Sequence, residues 1–106
     1  MKQADWEVFA EKFLGKMRDT LVAKGKDYND GADDRLQNFK TIAARTGTTP
    51  QQALQVLMSK HLDAIERHCR GHKCTTEPVY GRLIDACNYF VLLAALEEDE
   101  NAGTGT

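Results

Sequence analysis

A chain of 106 residues with 42% hydrophobic and 28% charged content has the composition of one ordinary soluble domain. Its net charge of −2, with Lys and Arg scattered among acids, leaves no basic footprint and argues against bulk nucleic-acid binding, while allowing a free nucleotide accompanied by a cation. No N-terminal apolar stretch resembles a signal peptide, no uninterrupted apolar run has the length of a membrane span, and three cysteines read as reduced thiols. The expected setting is therefore the cytoplasm, with no membrane partner.

Hydrophobic periodicity predicts four helices and no strands. The first starts at about Asp5, a suitable N-cap, and carries Trp6, Phe9, Ala10, Phe13, Leu14, Met17 and Leu21 at the helical period; Gly25 is expected to stop it. The following Lys26-Asp27-Tyr28-Asn29-Asp30-Gly31 has turn composition and no apolar period. A short second helix places Leu36, Phe39 and Ala43 on one side, with Gly47 past its end. Thr49-Pro50-Gln51-Gln52 is a capping box with proline in the first turn, and opens a third helix reaching Arg70. Its apolar stripe is Leu54, Leu57, Met58, His61, Leu62 and Ile65. The loop from Gly71 to Thr76 turns the chain back, and Thr76 and Pro78 start the last helix. One domain over residues 1–98 is expected, with residues 99–106 as a flexible polar tail. The short connection makes the last two helices antiparallel neighbours, so the fold class is an all-α, four-helix antiparallel bundle.

The last helix is the most informative segment. Val79, Leu83, Ala86, Phe90 and Leu93 form one apolar face, and Ile84, Val91, Leu92 and Leu96 fill most of the remainder, yet Asp85, Asn88 and Tyr89 stand in its middle. A helix apolar all round is normally buried, and three amphipathic partners in so small a subunit cannot cover it. Completion by homo-oligomerisation is expected. A carboxylate there must be paired, hydrogen-bonded or bound to a cation, and His61 is positioned to face it across the bundle.

Three groups of residues can carry chemistry. Asp63 with Glu66, and Asp85 with Asn88, are i, i+3 pairs on successive helices, a spacing that places oxygens on one helix face and suits Mg²⁺ bound with nucleotide phosphates. Asp63 nonetheless lies almost opposite its helix's apolar stripe, where a carboxylate is ordinarily solvated. His68, Cys69, His72 and Cys74 are zinc-capable, but their crowding into one short segment argues against a structural zinc site. Asp27 and Tyr28, followed by Arg35, Asn38 and Phe39, can form a base-stacking and phosphate-contacting lip; ordinary turn chemistry explains the first two equally well.

The order Lys26-Asp27-Tyr28, Arg35-x-x-Asn38-Phe39, Met58-x-Lys60-His61 and Arg82-Leu83-Ile84-Asp85-x-x-Asn88-Tyr89 resembles small all-α phage proteins of the nucleotide modification associated domain group. More distantly it resembles the MazG-like nucleoside triphosphate pyrophosphohydrolases. The closer resemblance covers most of residues 24–97 and implies an all-helical domain, a phage setting in the host cytoplasm, a nucleotide or nucleotide-derived ligand, and Asp27, Tyr28, Lys60, His61, Asp85, Asn88 and Tyr89 as matching positions. The distant one implies Mg²⁺ on Asp63, Glu66 and Asp85, with Lys60 neutralising phosphate charge and a metal-bound water attacking. Lys60, His61 and Asp85 are the catalytic candidates under that reading, and Arg35, Asn38, Asn88 and Tyr89 join Asp27 and Tyr28 as ligand-binding candidates. Asn88 departs from the family pattern, since an amide accepts a contact without supplying charge. Three functions stay open: a nucleotide-binding protein with or without pyrophosphohydrolase activity, a non-enzymatic anti-defence protein that sequesters a nucleotide signal or blocks a host immune protein, and a structural oligomer.

Overall fold

A computed structural model describes residues 1–29, 33–73 and 78–103, with residues 25–29 described by their backbone alone. The chain forms an all-α, bundle-like domain of four helices: α1 (Gln3–Asn29), α2 (Gln37–Thr46), α3 (Pro50–Cys69) and α4 (Val79–Gly103), with no strand among the described residues.

Capping chemistry sets the inner boundaries. The Gln52 amide N–H donates to Thr49 Oγ1 at 3.1 Å, and the Thr49 N–H donates to Gln52 Oε1 at 3.0 Å, so two of the donors left unpaired at a helix start satisfy each other's side chains. Gly47 ends α2 with φ of 69° and sends its N–H back to the Ala43 carbonyl. That left-handed conformation suits glycine because a Cβ there meets the following carbonyl.

The two outer helices run further than their sequences suggest. Rather than stopping at Gly25, α1 continues through the turn-like stretch to Asn29. One interior glycine costs only about 1 kcal/mol relative to alanine, and Lys24, just before it, is anchored to α4. At the other end α4 passes Glu98 and reaches Gly103, helped by Lys40 of α2. The Lys40 ammonium lies 2.6 Å from Asp34 Oδ2 and 2.9 Å from Asp99 Oδ2. The hydrogen bond to Asp34, with a second to Asp99, holds Lys40 above the usual lysine range, and the Lys40 hydrogen bond holds Asp34 below the usual carboxylate range. Gln51, in the first turn of α3, donates to Glu97 and Glu100 near the end of α4, which makes α3 and α4 antiparallel.

The core is assembled from α2, α3 and the second half of α4. Leu36, Phe39, Leu54, Met58 and Leu96 are buried together, with Leu57, Tyr89, Leu92, Leu93 and Ala95 packed against them. Of the stripe read on α3, Leu54, Met58 and His61 are buried, Leu57 and Ile65 are half-buried, and Leu62 is 40% exposed. No helix of the subunit covers the outer side of α4, where Tyr80, Phe90 and Val91 remain exposed, nor the first half of α1, where Trp6, Phe9 and Leu14 do. By length and hydropathy α4 is apolar enough to cross a bilayer. In this fold α1 and α3 pack on it, and Asp85 and Asn88 in its middle face inward.

Candidate functional site

Arg82, Asp85, Asn88 and Tyr89 of α4 recur with the helical period, followed one turn further by the apolar Leu92. They share a face and form one wall of a cavity of about 530 Å³. Leu57, Lys60 and His61 of α3 form the opposite side, Arg35, Asn38 and Phe39 close it from the start of α2, and Leu21 and Lys24 enter from α1. Phe39, Leu57, Tyr89 and Leu92 also belong to the core or pack against it, so the cavity has an apolar floor continuous with the hydrophobic interior. Its size lies in the range that small-molecule sites occupy.

Asp85 is the electrostatic centre of this wall. Its side chain is 13% exposed, Oδ1 accepts a hydrogen bond from the Lys24 ammonium at 2.6 Å, and Oδ2 lies 3.8 Å from Nδ1 of His61. The latter distance is too long for a hydrogen bond but close enough for attraction when the imidazole is protonated. Asp85 therefore has the compensation its position on an apolar helix demands. His61, 6% exposed, also sets its ring against Tyr89, with centroids 5.6 Å apart and planes inclined by 39°.

The charge of the lining is the opposite of the charge of the chain. Among the described residues, four cationic side chains, Lys24, Arg35, Lys60 and Arg82, line the cavity beside one carboxylate, Asp85, in a protein of net charge −2. Lys24 is engaged with that carboxylate, and among the described residues neither Arg35 nor Lys60 has an ion-pair partner. Cations gathered in a concave, partly apolar site focus a positive potential and attract anions.

Asn88 is 5% exposed, and neither its amide nitrogen nor its carbonyl oxygen touches solvent or has a hydrogen-bond partner among the described residues. A buried amide left in that state costs about 1 to 3 kcal/mol. Since almost all buried polar groups are paired, one that is not calls for an explanation.

Seven of the sequence-derived candidates, Arg35, Asn38, Lys60, His61, Asp85, Asn88 and Tyr89, thus meet in one cavity. Asp63 and Glu66 do not join them. Both are exposed, and Glu66 Oε1 instead accepts a 2.6 Å hydrogen bond from Arg70 one turn along its own helix. The proposed metal set of Asp63, Glu66 and Asp85 is therefore dispersed, and among the described residues no three His, Cys, Asp or Glu side chains are placed to hold one ion. As placed, Asp63, Glu66 and Asp85 do not converge on the Mg²⁺ site that the distant resemblance implies. Of the zinc-capable group, His68 is half-buried, Cys69 and His72 are exposed, and Cys74 lies outside the described residues. The backbone of Asp27 and Tyr28 is helical, and their side chains lie outside the described residues.

Sequence reasoning missed Lys24 and Arg82 as site residues, although both carried a signal. Lys24 continues the Phe13, Met17, Leu21 stripe at the next helical step, and Arg82 stands one turn before Asp85. A cation on a helix's inward face needs an anion just as Asp85 needs a cation.

No family model, curated protein or solved structure matches the chain.

The Lys24–Asp85 contact joins helices distant in sequence and is part-buried, with the carboxylate largely withdrawn from water, so its loss should be felt. Asp85→Ala should lower unfolding stability by about 1 to 3 kcal/mol in urea melts with an unchanged m-value, and Lys24→Met combined with Asp85→Leu should recover most of that loss. Wild-type melting of Asp85→Ala would show the carboxylate to be merely solvated.

Proposed function

We propose that this protein binds a nucleotide or nucleotide-derived anion in the cavity between its four helices and holds it without hydrolysing it. The observation that carries this reading is the lining: Arg35 and Lys60, cations with no ion-pair partner among the described residues, together with Arg82, set around an apolar and aromatic floor of Phe39, Leu57 and Tyr89. A phosphate group matches the cations, since charge-assisted hydrogen bonds to guanidinium and ammonium groups are the strong ones, and a planar base matches the floor. The resemblance to the nucleotide modification associated domain group points to the same ligand class and to a phage protein acting in the host cytoplasm.

Binding is favoured over pyrophosphohydrolysis by the dispersal of the carboxylates. Asp63 and Glu66 face away from the cavity, and Asp85 is engaged by Lys24, so Lys60, His61 and Asp85 serve as ligand-contacting and positioning groups. A protein that retains a nucleotide intact suits the sequestration of a signal in an anti-defence role.

The assembly proposed with this function is a homo-oligomer built on exposed apolar surface. Trp6, Phe9 and Leu14 on α1 are flanked by exposed Lys2, Asp5, Glu7, Glu11, Lys12 and Lys16. A border carrying both signs can be complementary to a second copy of itself, as a two-fold interface requires. Sedimentation equilibrium at micromolar concentration should give a multiple of the 11.9 kDa subunit, and Trp6→Glu with Phe9→Glu should shift it to the subunit mass. A monodisperse monomer would contradict this.

Isothermal titration with nucleoside phosphates, followed by chromatography of the recovered ligand, tests the binding reading. Arg35→Ala and Lys60→Ala should each weaken binding about tenfold or more, as expected for loss of a hydrogen bond to a charged group, without changing the melting temperature by more than a few degrees. The ligand should be recovered intact with or without Mg²⁺. Unchanged affinity in both variants, or release of pyrophosphate at an enzymatic rate, would overturn the reading.

A further inference from the structure

Four of the cavity's polar side chains, Arg35, Asn38, Lys60 and Arg82, suit several kinds of anion, but Asn88 differs from them. Its side chain lines the cavity on α4 with Tyr89 and Leu92, and both of its polar atoms are closed off from bulk water. Both polar atoms of its amide lack a hydrogen-bond partner among the described residues. A structural asparagine on a buried helix face normally bonds a neighbouring helix or a backbone carbonyl, and this one does neither.

An unpaired primary amide offers one donor and one acceptor side by side. The complementary partner is a planar group that presents an acceptor and a donor at the same spacing, and the edges of nucleobases do so. Phosphate oxygens are acceptors only and leave the amide oxygen unsatisfied. Tripolyphosphate, which carries no donor, would therefore satisfy the cations of the cavity but not Asn88.

We infer that Asn88 reads the edge of the base: the ligand is a nucleotide whose heterocycle lies against Tyr89 and, with the Asn88 side chain turned toward the cavity, forms a paired donor and acceptor contact with its amide, while its phosphates lie toward Arg35 and Lys60. The inference rests on the nucleotide-binding reading and adds to it which residue distinguishes a nucleotide from any other polyanion. It also accounts for an amide at this point of α4 where a carboxylate would disfavour an anionic ligand. Asn38 lies on the α2 side of the cavity with Arg35 and is assigned no part in reading the base.

The test compares the four ribonucleoside triphosphates, their 2′-deoxy counterparts and inorganic tripolyphosphate by titration calorimetry against the wild type, Asn88→Leu and Asn88→Asp. The wild type should bind at least one nucleotide about tenfold or more tightly than tripolyphosphate, the scale on which a good bidentate base contact discriminates. Asn88→Leu, close in shape, should melt no lower than the wild type because an unpaired buried amide is replaced by an apolar group. It should lose the preference for nucleotide while binding tripolyphosphate within about twofold of wild type. Asn88→Asp keeps an acceptor but not the donor, so it should also lose the preference, and it decides the matter if the leucine variant fails to fold. Retention of the wild-type nucleotide preference in both folded variants would overturn the role of Asn88 and leave nucleotide binding standing. A lower melting temperature in Asn88→Leu with equal loss of nucleotide and tripolyphosphate binding would make the residue structural and would overturn it as well. Failure of the wild type to bind any of these compounds would remove both readings together.

Discussion

One carboxylate on an apolar helix organises this molecule. Asp85 stands where burial alone would neutralise or expel a charge, and its compensation comes from helices on either side, Lys24 of α1 and His61 of α3. The same constraint that ties α1 and α3 to α4 also keeps their polar residues on a common inward side. A helix that had simply buried an apolar face at this point would have closed over the space that is now a cavity. The position of the site and the packing of the bundle thus follow from one requirement.

Cavity and core share residues. Phe39 is 2% exposed and Leu54 fully buried, and Phe39, with Leu57, Tyr89 and Leu92, meets both the hydrophobic interior and the cavity. A ligand seated there would rest on a rigid floor, since close-packed side chains have little freedom to shift. The cations stand on three different helical segments, with Arg35 before α2, Lys60 on α3 and Arg82 on α4. The unpaired, buried Asn88 amide costs the fold stability.

Much of this was legible in the sequence, for reasons that can be named. The boundaries of α3 were readable because Thr49, Pro50 and Gln52 act through local hydrogen bonds that need no tertiary context, and Gly47 marks the end of α2 by the same local logic. The demand that Asp85 be compensated followed from helical periodicity alone, and so did His61 as a facing group. The principal partner, Lys24, stands at the end of the Phe13, Met17, Leu21 stripe, but the stripe alone does not show that it reaches Asp85, 61 residues away in sequence. Asp63 and Glu66 were drawn toward the site by their spacing. Spacing fixes which residues share a face but not which way that face points, and here the apolar stripe of α3 turns them outward. The unpaired state of Asn88 depends on what surrounds it in three dimensions, so no reading of the chain in one dimension could reveal it.

The central claim is that the polar face of α4, with the cations opposite it, is a nucleotide site. Heteronuclear NMR of the isotopically labelled protein during titration with its preferred nucleotide tests this directly, because it reports where the ligand sits as well as whether it binds. The account predicts that the largest shifts gather on Arg35, Lys60, Arg82 and Tyr89, and on the side-chain amide of Asn88, which should move to the position of a hydrogen-bonded NH₂. Shifts confined to the exposed half of α1, or an Asn88 amide unmoved at saturation, would contradict it.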